Sequence, residues 1–334
     1  MSNAVFKLKI GMTYDLRNDY LKEGFTHEET AEFDLPDTIE AIEKVILDSG
    51  YQACRIGNIK ALTRRLAAGE RWDMVFNIAE GISGFGREAQ VPALLEAYNI
   101  PYTFSDPLGL ALTLHKGMTK HIISDLGIPT PAFTVIKSAE DIAGVALPFP
   151  LFAKPVAEGT GKGITAMSKI NTGEELSLVC KNLLNTFRQP VLLETYLPGR
   201  EFTVGILGTG KDARALGAIE VILRPTAEKN AYSYENKENY EKLVQYVLVD
   251  DAEARQAMEI SLAAWRGLDL KDAGRVDLRS DIHGVPNFME VNALAGLNPV
   301  RSDLPILCNL LGVTYHELIS SIIASALQRA EINK

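Results

Sequence analysis

Arg275-Val276-Asp277, and further on Asn287-Phe288-Met289-Glu290-Val291-Asn292, read as two consecutive β-strands. Residues two apart in a strand point to the same side, so Arg275 and Asp277 share one face, as do Glu290 and Asn292. Two carboxylates and an amide oxygen then converge. Hard oxygen donors of this kind suit Mg²⁺, which keeps some of its water and takes its remaining ligands from nucleotide phosphates. A solvated strand pair with chance charges would not set Glu290 and Asn292 among Phe288, Met289 and Val291.

Working outward, Phe152-Ala153-Lys154-Pro155 reads as a buried strand, followed by Glu158-Gly159-Thr160-Gly161-Lys162-Gly163. A lysine at the end of such a strand reaches an anion with its ammonium, and glycines let backbone N–H groups approach the same anion unobstructed. The pattern is neither a P-loop nor a G-x-G-x-x-G opening a helix, and alone it is more often only a turn. Next come Val191-Leu192-Leu193-Glu194-Thr195-Tyr196-Leu197 and Pro198-Gly199-Arg200-Glu201. An apolar strand ending in a short polar hinge offers backbone groups to an adenine edge, and a following glutamate accepts ribose hydroxyls. By itself this stretch is a strand, a turn and an exposed glutamate.

The 334 residues are 46% hydrophobic and 23% charged, with a formal net charge of -9. That length implies two or three domains around a shared cleft. The negative charge, with no Lys/Arg cluster among aromatics to offset it, opposes a nucleic-acid partner. A few lysines converging in a cleft still hold a triphosphate. No apolar run approaches the roughly 20 residues that span a bilayer, and the N-terminus lacks the pattern of a secretory signal. The expectation is a cytoplasmic protein with no membrane partner. Cys54, Cys180 and Cys308 are far apart and read as buried thiols.

Alternation at Phe6, Leu8, Ile10 and Met12 predicts a first strand with one face more buried. Pro36-Asp37-Thr38-Ile39-Glu40 predicts a helix start capped by Asp37, with an apolar stripe of Ile39, Ile42, Val45 and Ile46 ending at Gly50. A strand near 73–79, a helix near 87–98 and a short strand at 100–104 complete an α/β unit expected over residues 1–115. A small α+β unit, 116–205, is predicted to hold strands at 133–136, 150–156, 163–170 and 191–197 around a helix at 174–184. The last unit, 206–334, carries further strands, a helix at 252–265, the two charged strands and a terminal helix from Tyr315 to about Ala330.

In this order, these segments resemble the ATP-grasp superfamily and, within it, the D-alanine-D-alanine ligase family, over nearly the whole chain. Phe76-Asn77-Ile78-Ala79-Glu80-Gly81, Arg87-Glu88-Ala89-Gln90-Val91-Pro92 and Ile100-Pro101-Tyr102-Thr103 carry the resemblance in the first unit. Lys116, Lys154 and the Glu194 hinge carry it in the second, and Arg275 to Asn292 in the third. It implies a three-domain ATP-grasp architecture of α/β and α+β units, with ATP between the central and C-terminal domains. Lys116 and Lys154 match phosphate-contacting lysines, under a lid of Glu158, Gly159, Thr160, Gly161 and Gly163. Glu194, Thr195, Tyr196 and Leu197 match the adenine hinge, and Glu201 the ribose-binding carboxylate. Asp277, Glu290 and Asn292 match the ligands of two Mg²⁺ ions, for which Mn²⁺ is a substitute. Lys237 resembles a mobile-loop lysine that reaches the γ-phosphate, and Arg275 would steady a tetrahedral oxyanion. Glu88, Gly296, Arg301 and Ser302 fall at substrate positions, with Arg301 reading equally as a surface charge.

The reaction so implied joins small amino-acid-like molecules. A carboxylate attacks the γ-phosphorus, and the resulting acyl phosphate is attacked by the amine of the second substrate. D-alanyl-D-alanine synthesis for peptidoglycan is its most economical form, and the resemblance also implies a homodimer through the first domain. Three departures fall on the amino-acid side. The family's early glutamate, which orients the first amino group, has no equivalent in Gly11-Met12-Thr13-Tyr14-Asp15-Leu16. Thr160-Gly161 stands where the family has a serine pair, and Glu238 where it has a tyrosine. A ligase for other amino acids or a specialised metabolite therefore stands beside the first reading. A non-catalytic ATP-binding regulatory protein is the third reading, opposed by Arg275 and Lys237, since binding alone needs no oxyanion arginine.

Overall fold

The computed structural model describes residues 8–227 and 239–332. The first strand, β1 (Lys9–Tyr14), lies between β2 (Gln52–Gly57) and β3 (Met74–Ile78) in a parallel sheet. Its central residues are buried on both faces, not one. The reason is Gly11, where a Cβ would sit 2.5 Å from Ile56 Cδ1 and 3.0 Å from Trp72 Cγ. Glycine there lets a second apolar layer close on the strand, so the alternation seen in the sequence marks the size of the side chains and not their exposure. Phe6 lies outside the described residues. The short strand expected at 100–104 reduces to a single parallel bridge between Val75 and Tyr102.

The helix Pro36–Asp48 buries the predicted stripe of Ile39, Ile42, Val45 and Ile46. Its cap differs from expectation: Leu35 is the N-cap residue, no side chain caps it, and Pro36 opens the first turn with no N–H to satisfy. Asp37 instead pairs with Arg301, far along the chain. The helix at 87–98 is shorter than expected, Gln90–Ala97, because Arg87 sits in the turn before it.

In the middle of the chain, β4 (Phe133–Ile136), β7 (Val191–Thr195), β5 (Leu151–Pro155) and β6 (Lys169–Ile170) form an antiparallel sheet in that order. The helix Gly173–Phe187 packs Leu176, Val179, Cys180 and Leu183 against Leu151, Ala153, Val191 and Leu193. The strand expected at 163–170 is only the two residues of β6. Gly163 takes a positive φ of 75°, and a 3₁₀ turn at Ala166–Ser168 capped by the Thr165 side chain occupies the rest of the span.

The largest sheet runs β10 (Val244–Val249), β9 (Arg214–Leu223), β8 (Glu201–Leu207), β11 (Ala273–Ser280) and β12 (Pro286–Asn292), all antiparallel. The helix Ala252–Gly267 lies across it and buries Trp265 completely. The terminal helix Tyr315–Ile332 contributes Leu318, Ile319, Ile322 and Ile323 to a core shared with the first sheet and the helix Pro36–Asp48. The middle sheet keeps its own core. No single helix among the described residues is long and apolar enough to cross a membrane.

Gly274 locks the strand pair that opened the sequence reading: a Cβ there would lie 2.5 Å from the Asn292 carbonyl oxygen and 2.6 Å from the Trp265 ring. Gly274→Ala is expected to lower stability by about 1–3 kcal/mol through overpacking. Gly173→Ala, which opens a helix with nothing within 4 Å of the new atom, is expected to be neutral or mildly stabilising. Urea unfolding of the two variants beside the parent protein checks both.

Candidate active site

The antiparallel register of β11 and β12 sets Arg275 opposite Asn292 and Asp277 opposite Glu290. Asn292 Nδ2 donates to Asp277 Oδ2 at 3.2 Å, and Thr203 Oγ1, from neighbouring β8, donates to Oδ1 at 2.8 Å. Arg275 Nη2 lies 3.5 Å from Asp277 Oδ2, and its Nη1 pairs with Asp303, the first residue of the helix Asp303–Leu310. Tyr246 Oη donates to the other Asp303 oxygen at 2.9 Å. Arg275 is thus held between two carboxylates, and neither its charge nor its direction is left to a flexible side chain.

Glu290 connects this group to the lysines. Its Oε2 lies 3.2 Å from Lys154 Nζ and 3.8 Å from Lys116 Nζ. Lys154 reaches on to Glu194 Oε2 at 3.4 Å, and Glu194 Oε1 is 2.5 Å from Lys120 Nζ. Lys120 donates to Thr130 Oγ1 and to the Phe288 carbonyl. The side chains of Lys120 and Glu194 are fully buried. Burial alone would raise the Glu194 carboxyl, but Lys120 and Lys154 together outweigh it and hold it below the usual carboxylate range. At Lys154 burial pulls the ammonium down, and Glu194 and Glu290 more than reverse it. Lys116 goes the other way: burial prevails over Glu290 and lowers it.

A cavity of about 350 Å³ opens beside Glu290. Glu88, Lys116, Gly159, Thr160 and Arg275 line it, with Glu290, Asn292, Gly296, Arg301 and Ser302. Asp277 stands behind Asn292. The hinge lies apart from this cavity: Thr195 and Tyr196 N–H donate to the Ala132 and Pro150 carbonyls at 2.9 and 3.0 Å. The Tyr196 ring is covered by Lys169 Nζ at 4.2 Å and by Arg279 at 5.0 Å, with Glu201 3.6 Å from Arg279. Leu197 is buried at the end of the same segment. The Glu194 carboxylate is enclosed by its lysines, and its main chain lies between β4 and β5. Glu158 accepts Lys116 Nζ on its carbonyl at 2.6 Å and pairs its side chain with Lys162 at 2.5 Å. Gly161 turns the loop, and at Gly163 a Cβ would strike Pro155 at 2.6 Å and Phe187 at 2.8 Å. Lys237 lies outside the described residues.

The profile described as D-ala D-ala ligase C-terminus matches residues 122–324. A D-alanine-D-alanine ligase of Bordetella avium is 34% identical over 273 residues, covering 80% of this chain and 82% of that protein. The chain belongs to the D-alanine-D-alanine ligase family. Solved structures of ligases share its fold. The Bacillus anthracis D-alanine-D-alanine ligase complexed with ATP has a TM-score of 0.74 at 21% identity, covering 98% of this chain and 99% of that one. The VanG D-Ala:D-Ser ligase from Enterococcus faecalis has a TM-score of 0.73 at 19% identity, covering 96% and 99%. The fold is ATP-grasp, and the chain is an ATP-dependent ligase that forms a peptide bond.

Glu32, on the cavity's lining, and Lys120, on Glu194, are two residues that carry no signal in the sequence. Glu32 accepts from Arg87 Nη2 at 3.0 Å and from Lys162 at 3.0 Å. Burial would raise its carboxyl, but Arg87 and Lys162 win and hold it down to about 2. It lies directly on the glycine-rich loop, where a Cβ at Gly159 would come within 2.1 Å of its Oε1. Nothing in the polar run Glu28-Glu29-Thr30-Ala31-Glu32 distinguishes this glutamate from its neighbours, and only the folded chain selects it. Lys120 hid in the same way, as one polar residue of a helix.

Lys120→Met leaves a buried carboxylate with one partner fewer, so it is expected to destabilise the protein by about 3–5 kcal/mol. Removing Glu194 as well, in Lys120→Met/Glu194→Leu, is expected to recover part of that loss. A double-mutant cycle in urea reads the coupling directly.

Proposed function

We propose that this ligase joins the carboxylate of one amino acid to the amine of a second, with D-alanine in both roles as its most economical pair and cytoplasmic peptidoglycan synthesis as the setting. The observation that carries this reading is the position of Glu290. It touches both lysines, stands beside the Asp277-Asn292 pair, and faces the cavity that also holds Arg275 and Arg301.

Mg²⁺ fits the donors that are present. Asp277, Glu290 and Asn292 offer hard oxygens from adjacent strands, while no group of three or more His, Cys, Asp or Glu among the described residues makes a metal site by itself. A set this small suits an ion that completes its shell with water and phosphate oxygens. When bound there, it would neutralise charge on the transferring phosphoryl group.

Lys116 and Lys154 supply the positive charge that a triphosphate needs, and the loop 158–163 supplies backbone N–H groups and cover. The hinge 194–197 and Glu201 would take the base and ribose, and Lys237 the γ-phosphate. Phosphorylation turns the donor carboxylate, a poor electrophile, into an acyl phosphate. The acceptor amine attacks that carbonyl, and phosphate leaves. Arg275, fixed by Asp277 and Asp303, is aimed to meet the oxyanion of the tetrahedral state without reorganising. Closure of the Glu32-Lys162 contact over the cavity keeps water from the acyl phosphate. Arg301 lines the cavity while paired with Asp37, so an acceptor carboxylate would compete for it there.

A second reading, ligation of amino acids other than D-alanine, is favoured by Asp15. Its two oxygens are spent on Tyr20 Oη and the Gly81 N–H, so the segment that carries the family's donor-orienting glutamate offers no carboxylate to the cavity.

ADP release with Mg·ATP across pairs of D- and L-amino acids, with product mass, tests the proposal. A dipeptide formed with loss of one water is expected, and Asp277→Ala or chelation of divalent ions is expected to abolish it. Arg275→Ala is expected to lower kcat by about 10²–10³-fold with ATP affinity little changed. Turnover that survives Asp277→Ala would sink the metal assignment, and ATP binding without any product would sink the ligase reading.

A further inference from the structure

The glycine-rich loop starts just after β5, and its first residues are held by the two residues that precede β7. The helix Gly173–Phe187 closes on Arg188, whose φ of 50° and ψ of 37° are left-handed. The chain turns there, and Gln189 and Pro190 run beside residues 156–158. The Val156 N–H donates to the Pro190 carbonyl at 3.0 Å. Pro190 has no N–H to return, and the Val156 carbonyl accepts the Lys116 N–H at 3.0 Å. The Gln189 side chain continues the contact: its Oε1 accepts the Ala157 N–H at 2.8 Å, and its Nε2 donates to Glu158 Oε1 at 2.7 Å. Since only an oxygen can take the Ala157 N–H, the amide must turn its NH₂ group to the carboxylate. The other Glu158 oxygen pairs with Lys162, and the Glu158 carbonyl accepts Lys116 Nζ.

We propose that Gln189 is a positioning residue for the nucleotide: it fixes the Glu158 carboxylate and with it the start of the glycine-rich loop, a reading that rests on the phosphate-covering function proposed for that loop. Gln189 does not itself line the cavity, whereas Gly159 and Thr160, the next residues after Glu158, do. A rotation at Glu158 would carry both of them away from an anion that their N–H groups could meet. The loop's other ties come from the first unit, through Arg87 on the Ala157 carbonyl at 2.8 Å and Glu32 on Lys162 at 3.0 Å. Gln189 belongs to the same unit as the loop, so its hold does not depend on where the first unit stands. A glutamine that served only the Ala157 N–H would use its oxygen alone; the second bond, to a carboxylate, is the stronger kind. The side chain is also neutral. A glutamate there would repel Glu158, and a lysine would compete with Lys162 for it.

Calorimetric titration of the full chain with Mg²⁺ and a non-hydrolysable ATP analogue tests this. Gln189→Glu keeps an acceptor for Ala157 but sets a second carboxylate against Glu158. It is expected to bind the analogue about 10- to 100-fold more weakly, the scale of a charged hydrogen bond. In a Glu158→Gln background the same change meets an amide that can donate to it, and is expected to cost little. Gln189→Met, of similar length and making neither bond, is the independent variant should Gln189→Glu fold poorly, and is expected to weaken binding by a smaller factor. Parental affinity in Gln189→Glu or in Gln189→Met would overturn the proposal, as would an equal cost of Gln189→Glu with and without Glu158→Gln. A parent protein that does not bind the analogue would overturn it too. Dipeptide formation is read separately on the same samples: binding that follows this cycle with no product from any amino-acid pair would retire the ligase reading and leave the role of Gln189 standing.

Discussion

An unbroken alternation of buried charge, Lys120, Glu194, Lys154, Glu290, Lys116, holds this active site together. Its members come from the helix Lys116–Asp125, two strands of the middle sheet and one strand of the largest sheet. Each ion has been taken out of water at a cost of several kcal/mol, and each recovers that cost only from its neighbours. The line therefore couples the two sheets, because a displacement that parts one pair leaves a buried charge alone. It is also asymmetric. The Lys120 end is sealed by Thr130 and the Phe288 carbonyl, while the Glu290 end opens on the cavity. Under the proposed function, rearrangement on binding an anion and a cation would belong at the open end, where Lys154 and Lys116 would exchange Glu290 for phosphate and Glu290 would take the metal.

The convergence of Arg275, Asp277, Glu290, Asn292 and Lys154 was legible in the sequence because these residues sit on regular strands. A period of two is enough to put Arg275 with Asp277 and Glu290 with Asn292, and a lysine ending an apolar run is enough to place Lys154. What escaped depends on distant partners. Asp37 looked like a helix cap, and cap geometry is local, but its partner Arg301 lies in a loop near the other end of the chain. Glu32 and Lys120 carry no period and no motif. The strand expected at 163–170 failed because side-chain alternation says nothing of φ: Gly163 is left-handed and Thr165 caps a 3₁₀ turn at Ala166–Ser168. Lys237 was read from its neighbours in sequence and lies outside the described residues.

The contact of Glu32 with Arg87 and Lys162 gives the glycine-rich loop a second function. Backbone N–H groups near glycine can approach an anion only while the loop stays folded over it. Here the fold is held from outside, by a carboxylate of the first unit seated where Gly159 has no side chain. A cover built only from loop residues would close at its own entropic cost. One tied to the first unit would close together with it, and under the proposed function that closure would shield the acyl phosphate.

The division of charge within the cavity follows from the same economy. A ligase of two amino acids must bind two ammonium groups and two carboxylates, yet treat them differently: one carboxylate is to be phosphorylated and one amine must lose its proton. Identical pockets would fail at both tasks. The lining supplies both signs, Glu80, Glu88 and Glu290 with Lys116, Arg275 and Arg301, so under the proposed function each zwitterion would find an opposite charge for either end, and which end it presents would depend on which of those groups its neighbours leave available.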